Sequence, residues 1–403
     1  MHLLFLLLTL TLAHSVRAAQ GYHVADFLPL CEARQVAKAL AATSYTVPNI
    51  PSDMQDILNF NMSIATASWK AIFTDQGPQN TWDKFKAEHG TELGTSDWSD
   101  RWDYLKSAGH QTAKAESKWN SVNQKLINKE TVNDTRSYIE ALANNAFDVF
   151  KMTQDELKDA DGKTITSLKA VALTAMCSEP LAAQPDTTDC KDIAAAPRKD
   201  ATCYSAGAHK AGSSIALDMV CLCSTQTNSV CTADTEARAA IMANDNLGNG
   251  VLAQLLAACP KTPTKLDPST EEATAIAMLA SRLGHGTTRT AEQAIYLGIK
   301  GGKECSASAG SCLDYSAYFK STNQGLRSVP WVSNLLKAAD YYKTILARRA
   351  ADQAAADKIS QMKKELLKKF KRPNPKTDAI QTTDRERKQE KQRSNKLSRK
   401  IVQ

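Results

Sequence analysis

The sequence predicts an all-α protein: an elongated antiparallel helical bundle or coiled coil with an irregular lobe held together by disulfides. Apolar residues recur at intervals of three and four over much of the 403-residue chain, which is the spacing of helices that bury one face. Nine of the ten cysteines lie between Cys177 and Cys312, where this periodicity weakens. Helices of the predicted length make the body a rod rather than a sphere, because each residue adds about 1.5 Å.

The first eighteen residues have the pattern of a secretory leader. An apolar run from Leu3 to Leu12 precedes Val16-Arg17-Ala18, which fits a small-residue cleavage site. That run is too short to cross a bilayer, and no later segment approaches the roughly 20 apolar residues that a membrane helix needs. We therefore predict a leader (1–18), a mature helical domain (19–372) that enters the secretory pathway, and a basic tail (373–403).

Four helices are predicted in the first half of the chain. The first covers 50–73, with Ser52-Asp53 as its N-terminal cap, and the second covers 98–126, where tryptophans recur at a 4-3 repeat. Two further helices are predicted from about Asp134 to Leu157 and from Ile165 to Ala175. The tryptophans are interpreted as core residues rather than as a binding stripe.

Helical periodicity returns in the second half, after a segment from Cys177 to Cys231 that reads as irregular. Helices are predicted at 251–258, at 271–283 and at 291–299. A long final helix begins near Pro330-Trp331 and ends before Pro373, since proline cannot continue a helix.

All ten cysteines follow the leader, and in an oxidising compartment we expect every one of them to form a disulfide. The connectivity stays open, because spacing alone does not decide among the many pairings of ten cysteines. Bridging is favoured over metal binding for Cys221-Leu222-Cys223. Cys31 must close a very long loop, which chain-entropy models credit with about 4 to 5 kcal/mol. The predicted disulfide cysteines are Cys31, Cys177, Cys190, Cys203, Cys221, Cys223, Cys231, Cys259, Cys305 and Cys312.

The positive charge of the chain is concentrated at its C-terminal end. Residues 363–403 contain fifteen lysines and arginines against five acidic residues, so the preceding chain is slightly acidic. A nucleic-acid-binding body carries basic residues on its folded surface together with matching motifs, and this body has neither. We expect no nucleic-acid partner and interpret the tail as a solvated segment.

No catalytic or cofactor motif is found. The histidines of the mature chain form no H-E-x-x-H pair, and neither a G-x-S-x-G elbow nor a phosphate-binding glycine loop is present. We predict no enzyme, no cofactor and no metal site. Two N-x-S/T sequons remain. Asn133 is the predicted N-glycosylation site because it stands at a predicted helix boundary, whereas Asn61 lies on or beside a buried helix face and is the weaker candidate.

The ordered combination of these features resembles the N-terminal domain of a trypanosomal variant surface glycoprotein, nearest the B-type class. The residues that carry the resemblance are an N-proximal cysteine, Cys221-Leu222-Cys223 with Cys231, and a closing helix with Trp331-Val332 and Ala338-Ala339-Asp340-Tyr341. The resemblance covers about residues 19–372. It implies an elongated homodimer at the cell surface, packed in a dense coat that shields the membrane and presents variable loops to host antibodies.

The resemblance leaves two function classes open. The first is a coat glycoprotein that mediates antigenic variation. The second is a surface receptor subunit that binds a host carrier protein such as transferrin, since related surface proteins of these parasites include unanchored subunits. Family members usually continue into small cysteine-rich domains and a glycolipid-anchor signal. Residues 376–403 contain no cysteine, so membrane association is expected only through a lipid anchor that this sequence does not encode, and a naturally unanchored chain is expected to be secreted.

Removal of the tail should leave the stability of the mature chain nearly unchanged. Residues 376–403 contain few apolar side chains, so burial cannot offset the roughly 1 to 2 kcal/mol per residue that backbone ordering costs. Thermal melts of the mature chain and of a chain ending at Arg372 measure the effect. A drop of more than a few degrees on truncation would show that the tail is part of the fold.

Overall fold

The computed structural model confirms the predicted all-α class. The structure describes residues 21–44, 50–74, 80–93, 98–127, 129–165, 167–178, 189–191, 202–204, 210–225, 230–232, 239–242, 246–247, 250–261, 267–284, 294–298, 305 and 311–371. The predicted leader and the predicted tail lie outside these residues. No helix in the described ranges is long and apolar enough to cross a membrane.

The chain divides into two compact units. We call them the cysteine-rich unit (Met1–Tyr45 and Glu156–Ala347) and the aromatic unit (Thr46–Asp155 and Arg348–Gln403). The described α-helices, in chain order, are α1 (Val24–Ala41), α2 (Ile50–Ile64), α3 (Ala67–Thr74), α4 (Trp82–Leu93), α5 (Trp102–Ala113), α6 (Lys118–Asn123), α7 (Lys129–Met152), α8 (Leu168–Met176), α9 (Ile215–Cys223), α10 (Val251–Ala258), α11 (Pro268–Arg282) and α12 (Pro330–Lys371).

Short strands occur in the cysteine-rich unit. Strand β1 (Ser224–Thr225) pairs in parallel with β2 (Ala239–Met242), which pairs antiparallel with β3 (Asn246–Leu247). Strand β4 (Tyr296–Leu297) pairs antiparallel with β5 (Leu313–Asp314). The helix predicted at 291–299 is therefore wrong where the structure describes that segment. Tyr296 and Leu297 are buried by pairing with a distant strand, a contact that local periodicity does not report.

The core of the cysteine-rich unit is built around α1, which packs against α8, α9 and α11. Helix α1 is absent from the predicted elements, although Phe27, Leu30 and Cys31 place a fully buried face along it. The prediction for Cys177–Cys231 also needs correction. This segment was predicted to be irregular, but it contains α9, whose nine residues are all buried. A helix buried on every side shows no alternation of polar and apolar faces.

The ends of several helices differ slightly from the prediction. The helix at 251–258 is confirmed as α10. The helix predicted at 271–283 starts earlier as α11, because Asp267 accepts a hydrogen bond from the backbone N–H of Ser269 at 3.1 Å and Pro268 occupies the first turn. The helices predicted at 134–157 and 165–175 appear as α7 and α8, the latter capped by Ser167.

The aromatic unit packs α2 against α5 and α7, and α3 against α5. Its core contains edge-to-face and tilted aromatic contacts with ring centroids 5.0 to 5.8 Å apart. Such geometry is favoured because the positive edge of one ring meets the negative face of another. The rings in these contacts are Trp69, Phe73, Trp82, Phe85, Trp98 and Trp102.

The helix predicted over 50–73 is two helices, because polar groups end one and start the next at residues 65–66. Thr66 accepts a hydrogen bond from the backbone N–H of Trp69 at 3.3 Å and caps α3. At the other side of the break, Lys70 donates to the carbonyl of Ser63 at 2.6 Å and Arg136 donates to the carbonyl of Ile64 at 2.7 Å. Cations at these last carbonyls stabilise the C-terminus of α2.

The single helix predicted over 98–126 is also wrong, since a turn separates α5 from α6. The Asn120 side chain donates to the carbonyls of Thr112 and Lys114 at 3.0 and 2.7 Å, and Ser117 caps α6 by accepting from the Asn120 backbone N–H. A short 3₁₀ turn, Ser99–Arg101, leads into α5.

The final helix agrees with its prediction. It begins at Pro330 and its last residue is Lys371, shortly before Pro373. Its first part contributes Trp331, Val332 and Leu335 to the core of the cysteine-rich unit. Its later part contributes to the core of the aromatic unit. The buried residues of this part are Ile359, Met362, Leu366 and Phe370.

Replacing Gly298 with alanine should destabilise the protein more than replacing Gly162. Both glycines have positive φ, 69° and 78°, so both variants strain the backbone. At Gly298 an added Cβ lies 2.2 Å from Leu222 Cδ1, whereas at Gly162 nothing lies within 4 Å. We expect Gly298→Ala to lose about 1 to 3 kcal/mol more than Gly162→Ala, since overpacking adds to the strain.

Urea unfolding with the disulfides intact compares the two variants. Equal losses of unfolding free energy would show that the close packing of Gly298 on Leu222 is not a constraint.

Candidate functional site

Five disulfides join the ten cysteines of the chain. The pairs are Cys31–Cys259, Cys177–Cys190, Cys203–Cys221, Cys223–Cys231 and Cys305–Cys312. Four of these bridges close loops of 7 to 18 residues in sequence, so they fix local segments. The partners were not predictable from spacing, because neighbouring cysteines such as Cys221 and Cys223 bind different partners.

The bridge from Cys31 to Cys259 has a different effect, because its cysteines are 228 residues apart. It joins α1 to the residue that follows α10. Beside it, Gln35 donates a hydrogen bond to the carbonyl of Pro260 at 2.7 Å, and Arg34 binds Asp189 at 2.5 Å. The N-terminal helix is therefore attached covalently and by polar contacts to the middle of the chain.

Asp218 is the main polar group inside the cysteine-rich unit. Its side chain is fully buried in α9, beside the Cys203–Cys221 and Cys223–Cys231 bridges in sequence. One carboxylate oxygen accepts from the backbone N–H of Gly212 at 2.8 Å. The other accepts from the Tyr315 hydroxyl and from the Trp331 indole N–H, the latter at 2.8 Å. Three donors from three segments thus satisfy one carboxyl group.

Burial raises the pKa of Asp218 to about 7, and the hydrogen bonds from Tyr315, Gly212 and Trp331 oppose that rise. The pKa of Tyr315 is raised well above its ordinary value, first by its own burial and then by the Asp218 carboxyl. The indole N–H of Trp331 and the peptide N–H of Gly212, which also bind this carboxyl group, do not titrate. The arrangement stabilises the fold, because three segments of the chain donate to one buried carboxyl group.

The described histidines lie in both units, and none of them belongs to a group that could hold a metal. His23 is buried, and its Nδ1 lies 3.2 Å from Asp26, whose other oxygen accepts from Arg282 Nε at 2.7 Å. His89 and His110 are half-buried in the aromatic unit, while His209 and His285 lie outside the described residues. Among the described residues, no group of three or more His, Cys, Asp or Glu side chains is arranged to hold a metal.

A cavity of about 610 Å³ lies in the aromatic unit. The Trp69 and Trp98 rings on its wall meet edge to face, with centroids 5.1 Å apart. Arg101 donates to Asn144 Oδ1 at 2.8 Å and lies 3.7 Å from Asp148. The volume of the cavity falls within the range of small-ligand pockets.

The two sequons occupy different surroundings. Asn61 lies in α2, is half-buried and lines this cavity. Asn133, the predicted glycosylation site, lies inside α7 as its fifth residue rather than at the helix boundary, and the surroundings of its side chain are outside what the structure describes. Asn61 is the weaker candidate because it is predicted on or beside a buried helix face, and its half-buried position between Phe60 and Met62 agrees with that placement. No pattern in the sequence predicts the cavity beside Asn61.

Comparison with known proteins gives one consistent result. A family model described as the trypanosomal VSG domain matches residues 5–364. The variant surface glycoprotein WRATAT A of Trypanosoma brucei rhodesiense is 44% identical over 373 residues, covering 93% of this chain and 79% of that relative. The variant surface glycoprotein ILTAT 1.21 of Trypanosoma brucei brucei is 30% identical over 368 residues, covering 91% of this chain and 77% of that relative.

The stability of the protein should fall as the pH rises from about 4 to 7 through the titration of Asp218. An unfolded aspartate has a pKa near 3.9, so in this window the folded state keeps a proton that the unfolded state releases. The contribution is complete below the unfolded pKa and is lost as the pH passes the folded pKa, at up to about 1.4 kcal/mol per pH unit. Asp218→Asn removes this titration.

Urea unfolding at pH 5, 6, 7 and 8 tests the effect through the difference in stability between wild type and Asp218→Asn. The unfolding free energy of the wild type should fall relative to that of Asp218→Asn as the pH rises. Tyr315→Phe is the second variant, because loss of its hydrogen bond raises the pKa of Asp218 and extends the window upward. A stability difference that does not change with pH would contradict the assignment.

Proposed function

The chain belongs to the trypanosomal variant surface glycoprotein family, and from that membership we propose that it is a coat glycoprotein of the trypanosome surface. The coat shields the plasma membrane, and exchange of one coat protein for another mediates antigenic variation and evasion of host antibody. The observation that carries the proposal is the match of the family model to residues 5–364. The 44% identity to a variant surface glycoprotein along 93% of the chain supports it.

The structure is compatible with this role because its described residues form a framework stabilised by disulfides and a buried polar cluster. Its polar cluster around Asp218 is enclosed and satisfied, and its cysteines are joined in disulfides. A protein whose function is to present a surface needs a stable framework, while binding and recognition fall to the loops on it. The receptor alternative is not favoured, since both relatives carry the name variant surface glycoprotein.

We further propose a route and an attachment for the chain. The first eighteen residues direct it into the secretory pathway, residues 19–372 form the mature domain, and a lipid anchor holds it at the outer face of the plasma membrane. Asn133 carries an N-linked glycan. The sequence pattern of the leader, the family membership and the sequon support these proposals.

We also propose that the coat protein is a homodimer. The coiled-coil spacing of residues 98–126 and 332–346 makes these two segments the leading interface candidates. Both pack largely inside the chain, since Trp102 and Trp119 are buried in one core and Val332 and Leu335 in the other. In the segment 98–126, the Val122 side chain is 65% exposed and is available to a partner. It borders a cleft of about 430 Å³ that is lined by several amide side chains. An exposed branched apolar side chain at such a cleft supports an interface there.

Antibodies against the folded mature chain should label living trypanosomes that express it, and reduction of its disulfides should abolish recognition by most of them. Labelling of intact cells measured by flow cytometry tests the coat role. The control is labelling after permeabilisation. Recognition only after permeabilisation would show that the chain is not exposed at the surface.

The mature chain should sediment as a dimer at tens of micromolar, and Val122→Glu should weaken the association because a charge is costly to desolvate in an interface. Sedimentation equilibrium measures both. Ala141→Glu is the matched control, since Ala141 is exposed on α7 outside the cleft. A wild-type monomer would exclude the dimer, and equal association of both variants would exclude Val122 from the interface.

A further inference from the structure

The sequon Asn61-Met62-Ser63 lies beside the cavity of the aromatic unit. Sequons that carry glycans usually lie on surface loops, but this one lies in the last turn of α2, which ends at Ile64. A glycan on a helix needs space beside the asparagine. Asn61 has that space, because its half-buried side chain lines the cavity of about 610 Å³ and makes no hydrogen bond among the described residues.

The charges on the cavity wall cancel, which indicates a neutral ligand rather than an anion. Arg101 and Arg136 are balanced by Glu140 and Asp148, and Arg101 already contacts Asp148 at 3.7 Å. An excess of arginine without acidic partners would have pointed to a phosphate or a carboxylate. A neutral ligand that still offers several hydrogen-bonding groups fits this wall.

The remaining wall groups match a sugar ring. Trp69 and Trp98 are both half-buried and offer apolar ring surface, on which the C–H face of a pyranose packs. The exposed side chain of Asn144 offers an amide. The Nε of Arg136 is shielded from solvent and has no acceptor among the described residues, so a hydroxyl or acetamide oxygen in the cavity would satisfy it.

We propose that Asn61 carries an N-linked glycan and that the first sugars of this glycan occupy the cavity against Trp69. The occupant is thus a covalently attached part of the same molecule. Attachment happens when Asn61 Nδ2 displaces the diphosphate of a polyprenyl-diphosphate-linked oligosaccharide. A bond forms between Nδ2 and C1 of the first N-acetylglucosamine, the C1–O bond to the diphosphate breaks, the diphosphate leaves with the bonding electrons, and the amide proton passes to a base of the transferase.

The inference goes beyond the coat role and does not depend on it, because its readout is a modification of Asn61 and the accessibility of the sugar. A failed surface-labelling experiment would leave this prediction standing, and an unmodified Asn61 would leave the coat role standing.

The first experiment separates the two sequons in full-length chains secreted by trypanosomes. Thr135→Ala removes the Asn133 sequon, so in this background any remaining N-glycan is on Asn61. In this background, adding Ser63→Thr keeps the Asn61 sequon, and adding Ser63→Ala removes it. The matched pair is useful because Ser63 donates a hydrogen bond to the Phe60 carbonyl at 2.7 Å, which threonine can retain.

Mass spectrometry of the secreted proteins, before and after peptide N-glycosidase, gives the result. We expect the Thr135→Ala and Thr135→Ala/Ser63→Thr chains to carry one glycan, and the Thr135→Ala/Ser63→Ala chain to carry none. Peptide mapping should show aspartate in place of Asn61 after enzymatic removal of the glycan. An unmodified Asn61 in the secreted, folded protein overturns the proposal, whatever the state of Asn133.

The second experiment tests whether the sugar lies in the cavity. Endoglycosidase should release the Asn61 glycan several-fold more slowly from the native Thr135→Ala chain than from the same chain after denaturation. Trp69→Ala should raise the native rate, because it removes the ring on which the sugar packs. Asn144→Ala should raise it as well, and this exposed position carries little risk to folding. Equal release from native and denatured protein overturns the placement in the cavity.

Discussion

The buried carboxyl of Asp218 is the constraint on which the cysteine-rich unit depends. It accepts hydrogen bonds from Gly212, Tyr315 and Trp331, groups that lie 6, 97 and 113 residues away in the chain. A buried acceptor left without its donors costs about 1 to 3 kcal/mol, and more when it is charged, so these segments must meet for the unit to be stable. Trp331 opens the final helix, and Tyr315 follows β5. The cluster therefore determines where both elements sit around α9.

The two units reach stability by different means. The cysteine-rich unit contains all ten cysteines, so five disulfides and the Asp218 cluster reinforce the helical core around α1. The sequence of the aromatic unit has no cysteine, and its helices pack through tryptophan and phenylalanine rings. Large rings bury much area per residue, and helix packing supplies the rest. Gly109 permits the close approach of α5 to Phe73 that this packing needs, because an added Cβ would lie 2.7 Å from Phe73.

This division suits a coat protein. Disulfides and a buried polar cluster hold the core of one unit independently of its surface residues, so surface substitutions change the antigenic face at little cost to folding. Surface substitutions away from special features usually change stability by less than about 0.5 kcal/mol. Antigenic variation requires this freedom, and the 30% identity between this chain and one of its relatives shows how far sequences in the family diverge.

The sequence by itself determined the properties that depend on local pattern and composition. Helical periodicity identified most of the long helices, Pro373 marked the end of the last one, and the even number of cysteines in a chain with a leader pattern led to the expectation of full pairing. The ordered cysteines and the closing helix were sufficient to identify the family. Each of these signals lies within a short segment or a count, so no knowledge of distant contacts was needed.

Only the tertiary structure decided which distant groups meet. The disulfide partners could not be read from spacing, and Cys221 and Cys223 form different bridges because residues two apart in the last turn of α9 lie on different faces of the helix. The burial of α9 removed the alternation that would have revealed it as a helix. The strand at Tyr296 exists through pairing with Leu313–Asp314, and the cavity beside Asn61 exists through the packing of four segments. Such features arise from contacts between residues far apart in the chain, and local periodicity carries no information about them.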